Sequence, residues 1–363
     1  MTRICNILVA TLAVALLAPA DALAQQVPLP KTASDVPVPV PGLAVDPVPV
    51  TVKSFARAES DSYFRNIVKL GGFGTFYHYR TPTPIDQQTI VRMNRDTLYS
   101  GLVIDLDAGP VTITLPDVGK RFMSMLVISE DHYTPLTAYA PATVTLTKEQ
   151  CGTRYILAAI RTLIDANDPA DVKLANALQD QIKVVQAGAG KFEVPDWDPV
   201  SKGKIQEHLY ALQSMAGVTT ERRMGKPGEV DPIFHLLATA ASWGLNPPED
   251  AIYKTVYPKA NDGKTVHTLT VKDVPVDGFW SITIYDSKGY MFESPQKAYA
   301  INNFTAKPNA DGSFTIQFGG DPKGAPNYLA ITPGWSYSAR CYRPRKEVID
   351  GTWNFPEATP VSK

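Results

Sequence analysis

The feature that most restricts how this chain can fold is a strand pattern written twice. Arg121-Phe122-Met123-Ser124-Met125-Leu126-Val127-Ile128-Ser129 lines up with Gly278-Phe279-Trp280-Ser281-Ile282-Thr283-Ile284-Tyr285-Asp286 at an offset of 157. Further on, Gly152-Thr153-Arg154-Tyr155 lines up with Gly334-Trp335-Ser336-Tyr337, and Arg161 with Arg343, at an offset of 182. The matches keep their order, and the offset grows where a loop can differ in length. Short apolar and alternating runs of this kind form strands. A strand set that recurs across a chain of this length predicts two related β halves, each needing a second sheet to cover its apolar face.

The strands expected in the first half are 111–115, 122–128 and 155–163, punctuated by Pro116, Gly119 and Gly152. Those expected in the second are 265–271, 279–285, 313–318, 328–331 and 337–342, with turns at Asp286-Ser287-Lys288-Gly289 and Asn309-Ala310-Asp311-Gly312. Helical spacing appears over 52–69, 167–187, 202–215 and 232–243, the second of these opened by Asp168-Pro169. The expected class is mainly β (α+β): two jelly-roll-like antiparallel β-sandwich halves with a helical insert between them. The boundaries read as a signal peptide at 1–24, a proline-rich arm at 25–50, an N-terminal β domain at 51–166, a helical insert at 167–248 and a C-terminal β-sandwich at 249–358.

The N-terminus reads as a secretory signal. Arg3 precedes the apolar run from Ile7 to Leu17, and Ala22-Leu23-Ala24 is a small-x-small cleavage site. A periplasmic or secreted location follows as the expectation, and no later stretch is long enough to span a membrane. Seven of the 31 prolines then fall within 25–50, where they favour an extended arm able to tether a neighbouring copy. Thirty-five basic against 36 acidic residues give no footprint for a nucleic acid or an anionic membrane. After cleavage only Cys151 and Cys341 remain; they allow one disulfide or two separate thiols, and make no metal-ligand spacing.

The densest polar cluster is Arg92-Met93-Asn94-Arg95-Asp96-Thr97-Leu98-Tyr99-Ser100, between apolar flanks that suggest strands. Arg92 and Arg95 have the donors to fork onto a carboxylate, Asn94 can share that contact, and Asp96 and Tyr99 can exchange protons. The same residues also suit an Arg–Asp pair and a buried Tyr that hold a loop on a sheet. His132, beside Asp131 at a strand end, is a candidate base. Phe76-Tyr77-His78-Tyr79-Arg80 reads as a rim or core strand. In the last region Trp280, Asn303 and Arg340 supply the aromatic and polar groups that sugar recognition on a sandwich uses, although Trp is equally a core residue. The paired spacing of a zinc protease, the serine elbow, the P-loop and the dinucleotide fingerprint are all missing, which argues against the commonest serine hydrolases and nucleotide-using folds, gives no metal ligands and leaves the cofactor unknown.

Met93-Asn94-Arg95-Asp96-Thr97-Leu98-Tyr99-Ser100, followed by Asp105-Leu106-Asp107-Ala108-Gly109-Pro110, resembles the domain-of-unknown-function family 1254. The run from Val274 to Tyr285, with the closing Arg340-Cys341-Tyr342-Arg343-Pro344, looks like its usual partner, family 1214. Together they cover roughly 50–355. The resemblance implies a secreted or periplasmic bacterial protein of two jelly-roll-like domains with a helical part, and it brings no reaction. The residues lead to a hydrolytic enzyme acting on a small polar or carboxylated compound, with Arg92 as anchor, Asp96 and Tyr99 as acid and base, and His132 assisting. The alternatives are a non-catalytic carbohydrate- or envelope-binding protein and a metal-dependent oxidoreductase on paired sandwiches.

Overall fold

A computed structural model describes residues 47–88, 91–216 and 222–361. The expected signal segment and all but the end of the proline-rich arm lie outside the described residues.

The first half contains β1 (Tyr77–His78), β2 (Thr97–Asp105), β3 (Val111–Leu115), β4 (Met123–Ser129), β5 (Leu136–Tyr139), β6 (Ala142–Leu146), β7 (Tyr155–Leu163) and β8 (Lys183–Gln186). They form a five-stranded sheet, β1-β2-β7-β4-β5, packed on a three-stranded sheet, β6-β3-β8. The second half contains β9 (Ala251–Val256), β10 (His267–Val271), β11 (Trp280–Tyr285), β12 (Ala300–Asn302), β13 (Phe314–Phe318), β14 (Tyr328–Leu329), β15 (Ser336–Tyr342) and β16 (Thr359–Pro360). Its sheets are β12-β11-β15-β9 and β14-β13-β10-β16. The mainly β, α+β class expected from the sequence is the one observed. Pairing is antiparallel except between β13 and β14. Alternation places Leu102, Ile104, Met125, Val127, Ile156 and Ile160 in the core between the first two sheets. Leu269, Ile282, Ile284, Ile316, Phe318 and Ala339 fill the core of the second half.

The two halves share one strand order. The first sheets read β2-β7-β4-β5 and β9-β15-β11-β12, and β6-β3-β8 corresponds to β13-β10-β16. Registers make the equivalence residue by residue. Ser124 pairs with Arg161 and Ser281 with Arg340, so the offset of 157 between β4 and β11 holds. It also makes Arg340, not Arg343, the counterpart of Arg161, an offset of 179 rather than 182. Tyr99 faces Arg161 and Tyr253 faces Arg340, which equates Tyr99 with Tyr253 and Asp96 with Asp250. The sequence offset of 182 is three residues too long because the glycine turns before β7 and β15 lie at different distances from the paired arginines.

Among the described residues the helices are α1 (Phe55–Lys69), α2 (Lys148–Cys151), α3 (Pro169–Gln179), α4 (Pro199–Met215), α5 (Pro232–Ala241) and α6 (Lys346–Ile349). Three of them open on Asp-Pro. The side chains of Asp168, Asp198 and Asp231 accept from the first backbone N–H groups, and proline at the first helical position has no N–H to leave unpaired. The helix expected over 167–187 ends at Gln179, and Lys183–Gln186 joins β3 instead, because Ile182 and Val184 pack into the first core. Cys151 and Cys341 are both free and buried in different cores, so they form no disulfide. No helix among the described residues is long and apolar enough to cross a membrane.

Helix α1 covers the outer face of the five-stranded sheet. Ile67, Tyr63 and Phe64 pack on Val103, Leu126, Ile128, Leu157 and Trp243. Tyr63 stacks on Trp243 at 4.0 Å. Gly101 of β2 makes the close approach achievable, since a Cβ there would come within 3.1 Å of Ile67 Cδ1. Polar groups also go under the helix: Trp197 Nε1 donates to Asp61 Oδ2 at 2.7 Å, and Lys202 Nζ pairs with Glu59 at 2.6 Å.

Burial raises Asp61 to about 7, opposed mainly by the Trp197 bond and reinforced by the nearby Glu130 charge. A carboxyl whose folded pKa is raised stabilises the fold fully below its unfolded value of 3.8, and that contribution is lost as pH rises towards about 7. Chemical denaturation at a series of pH values should therefore show the wild type losing stability relative to Asp61→Asn across that window. A constant difference between the two would show that Asp61 ionises as it does in water.

Candidate functional site

The outer faces of the five-stranded sheet and of the sheet β12-β11-β15-β9 meet along a seam, and many of the residues picked out in the sequence lie there. Phe122 and its counterpart Phe279 contact edge to face at 5.1 Å. Each enters a strand in the same way: Leu163 N donates to Phe122 O and Tyr342 N to Phe279 O, at 3.0 and 2.8 Å. Across this contact the halves exchange hydrogen bonds to two carboxylates, one buried and one half-buried. Asn302 Nδ2 of the second half donates to Asp96 Oδ1 at 3.1 Å. Tyr139 Oη of the first half donates to Asp250 Oδ1 at 2.6 Å. Registers equate Tyr139 with Asn302, so the two bonds are one contact made twice.

The two contacts are completed differently. Thr137 Oγ1 donates to Asp250 Oδ2 at 2.7 Å. The residue in its place beside Asp96 is Ala300, and Asp96 Oδ2 is buried without a well-formed hydrogen bond. Burial raises both carboxyls. Arg340, Asn302 and the nearby Ser281 hydroxyl oppose this at Asp96, and Tyr139 and Thr137 oppose it at Asp250.

The paired arginines are completed differently too. Arg340 Nη1 donates to Thr283 Oγ1 at 2.7 Å, and Nη2 donates to Tyr285 Oη at 2.6 Å and to the Arg92 carbonyl at 3.0 Å. Beside Arg161 the counterparts of Thr283 and Tyr285 are Leu126 and Ile128. Both line a cavity of about 60 Å³, into whose wall Arg161, Tyr99 and Asn94 also come. Arg161 Nη1 donates to Tyr99 Oη at 2.5 Å, and Asn94 Nδ2 reaches the hydroxyls of Thr97, Tyr99 and Tyr342 at 3.0, 3.4 and 3.4 Å. Burial works against the Arg161 charge, yet the phenols of Tyr99, Tyr253 and Tyr342 hold its pKa above the ordinary value. The far wall is apolar: Ile67, Leu157 and Ala159.

The chain segment 94–97 divides this cavity from a second, polar one of about 180 Å³. Asp96, Arg95, Tyr299, Ala300, Asn302 and Tyr328 line the second cavity. The sequence cluster is thus split by the turn into β2. Asn94 and Tyr99 face one side, Arg95 and Asp96 the other.

Arg92 stands at the seam in a left-handed conformation, φ 55°, its N–H bonded to the Gly289 carbonyl at 2.7 Å and its guanidinium to Tyr257 Oη. Arg92 lines neither cavity. Its main part is to offer a carbonyl to Arg340.

Three expected site residues are elsewhere. His132 lies beneath α5, stacked on Trp243 and His235 at 5.4 and 5.5 Å. Gly244 N donates to its Nε2 at 2.8 Å, so Nδ1 carries the proton and donates to Thr239 Oγ1 at 2.9 Å. Burial and the neighbouring His235 lower its pKa well below the ordinary range. Both ring nitrogens are committed, and His132 does not assist Asp96. Trp280 fills the second core, edge-on to Phe314 and Phe355. Asn303 Oδ1 accepts from Trp280 N and serves that strand end. Arg340 is at the seam, but as a strut between β11, β15 and the Arg92 loop rather than as a ligand contact. Among the described residues no group of three or more His, Cys, Asp or Glu side chains is placed to hold a metal.

Arg161 was missed as a site residue, and its partner Tyr253 with it. The signal was present, since an arginine inside the apolar strand Tyr155–Leu163 must find polar company on one face.

Comparison with known proteins agrees with the motifs. A family model described as "Protein of unknown function (DUF1254)" matches residues 73–139, and one described as "Protein of unknown function (DUF1214)" matches residues 254–346. The chain therefore carries both, in the order the motifs indicated. No curated protein matches the sequence. The crystal structure of the VPA0106 protein from Vibrio parahaemolyticus is similar, with a TM-score of 0.66 at 17% identity over 86% of this chain and 98% of that one. At that identity the likeness shows a shared fold. A putative uncharacterized protein from Burkholderia cenocepacia matches with a TM-score of 0.47 at 14% identity, over 81% of this chain and 84% of that chain.

Thr137→Ala would give Asp250 the surroundings that Asp96 has. Leaving a buried polar oxygen unpaired costs about 1–3 kcal/mol; Asp250 is half-buried, so equilibrium unfolding should show a loss at the lower end of that range. An unchanged midpoint would mean that water replaces the hydroxyl at no cost.

Proposed function

We propose that this is a binding protein for a small organic carboxylate, seated in the cavity between β2, β4, β7 and α1, with Arg161 as its anchor. One observation carries the reading. Where Thr283 and Tyr285 stand beside Arg340, Leu126 and Ile128 stand beside Arg161, and a cavity that Arg161 and Tyr99 also line lies against them. A carboxylate takes the fork of a guanidinium with two parallel bonds. Tyr99 Oη and Asn94 Nδ2 are at hand to share it, and the apolar wall suits a compact hydrocarbon body. The secretory signal read from the first 24 residues would place this binding in the periplasm or outside the cell.

The hydrolytic reading has less support. Asp96 is on the other side of the 94–97 segment from Arg161, and His132 is engaged with Gly244 and Thr239. Of the expected acid–base residues only Tyr99 lines this cavity, and it is bonded to Arg161, so the geometry supports binding better than hydrolysis.

Isothermal titration with benzoate and hexanoate, and with benzyl alcohol and hexanol as neutral counterparts, tests the proposal. The carboxylates should bind and the alcohols should not. Arg161→Met, checked for cooperative unfolding, should weaken carboxylate binding at least about tenfold, the loss expected for a charged hydrogen bond. Equal binding of acids and alcohols, or an unaffected Arg161→Met, would overturn it.

A further inference from the structure

The second cavity carries an inference independent of the first. It lies on the seam, between the chain around Asp96 and Ile164 in one half and β12 and β14 in the other. Its volume of about 180 Å³ is far above the ~10–15 Å³ that admits a single water. Most of its polar lining is already satisfied. Asn327 bonds to Lys307 and Thr315, Asn302 Oδ1 accepts from Phe304 and Thr305, and Tyr299 Oη donates to Glu293. Two groups stand out against that background. Asp96 is only 2% exposed, and neither its Oδ2 nor the nearby Ser281 hydroxyl has a well-formed hydrogen bond; Arg95 Nε is buried without one as well. A native fold rarely leaves such atoms orphaned without a reason.

The internal repeat supplies the reason. At the equivalent place in the other half, Thr137 delivers a hydroxyl to Asp250 Oδ2 at 2.7 Å. Beside Asp96 that hydroxyl has been cut back to the methyl of Ala300, and the cavity occupies the space. The group that fits Asp96 is therefore chemically defined by its counterpart: a hydroxyl.

We propose that this cavity is a second ligand site, for a neutral polyhydroxylated compound such as a single sugar ring or an inositol, which donates one hydroxyl to Asp96 Oδ2 and offers another as acceptor to Arg95 Nε. The two flanking charges set the class. A cation suits Asp96 but meets the Arg95 guanidinium; an anion suits Arg95 but meets the Asp96 carboxylate. A hydroxyl both donates and accepts, so neighbouring hydroxyls on one ring satisfy both residues without a net charge. The rings of Tyr299 and Tyr328 in the same wall offer apolar faces to the C–H side of such a ring. Arg95 is held ready for the contact by its bond to the Thr83 carbonyl and by lying over the Tyr299 ring at 5.3 Å.

The test restores what the repeat has lost. D-glucose, D-galactose and myo-inositol are titrated calorimetrically into the full chain and into Ala300→Thr, with thermal unfolding as the check on the fold. At least one of the three should bind the wild type. Ala300→Thr should lose that binding at least about tenfold while unfolding no lower than wild type, because the new hydroxyl takes Asp96 Oδ2 as Thr137 takes Asp250 Oδ2. Arg95→Met gives a second, separate route to the same loss. No binding of any of the three by the wild type, or undiminished binding by both variants, would overturn the proposal.

Discussion

Two carboxylates, the buried Asp96 and the half-buried Asp250, sit on the seam between the halves, and the rest of the arrangement depends on how each is satisfied. A buried carboxylate is tolerable only with donors around it. Here each takes its donor from the opposite half, Asn302 for Asp96 and Tyr139 for Asp250. Neither half can complete its own strand entry without the other. The Phe122–Phe279 contact fixes the spacing, and Arg340 adds a bond across the seam to the Arg92 carbonyl. These are interactions between unlike partners at equivalent places, which is what a repeat becomes once its copies serve different ends.

That divergence is also where the cavities come from. The two halves agree in strand order and in the positions of Tyr99 and Tyr253, Arg161 and Arg340, Asp96 and Asp250. They disagree at three positions that decide whether those side chains are filled from within: Leu126 against Thr283, Ile128 against Tyr285, and Ala300 against Thr137. The two cavities described above both lie against the copy that lacks the hydroxyl. A ligand that binds the folded chain at either cavity would stabilise it.

Much of the fold was legible in the sequence because period and punctuation coincide there. Val111–Leu115 and Tyr155–Leu163 are strands at their expected limits, and α1, α4 and α5 fall within a few residues of theirs. What escaped was set by tertiary pairing. Lys183–Gln186 has helical neighbours and becomes a strand only because β3 has a free edge for it. The site was half legible. Asn94, Tyr99, Arg95 and Asp96 were found because polar residues crowd one turn, yet which side of the wall each faces depends on the start of β2. His132 misled because a histidine beside an acid looks the same in a sequence whether it faces a cleft or a packed helix. Arg161 stayed hidden among the apolar residues of its strand, and only ladder register, three residues away from the sequence match, tied it to Arg340.

The claim that the halves hold one another through these carboxylates is most directly tested by a double-mutant cycle on Asp250 and Tyr139. Unfolding free energies of the wild type, Asp250→Asn, Tyr139→Phe and the double variant give the coupling between the two side chains. A coupling of about 0.5–3 kcal/mol, the range for residues in direct contact, is the predicted result. Additive losses, with no coupling, would contradict the account and leave the seam to the aromatic contacts alone.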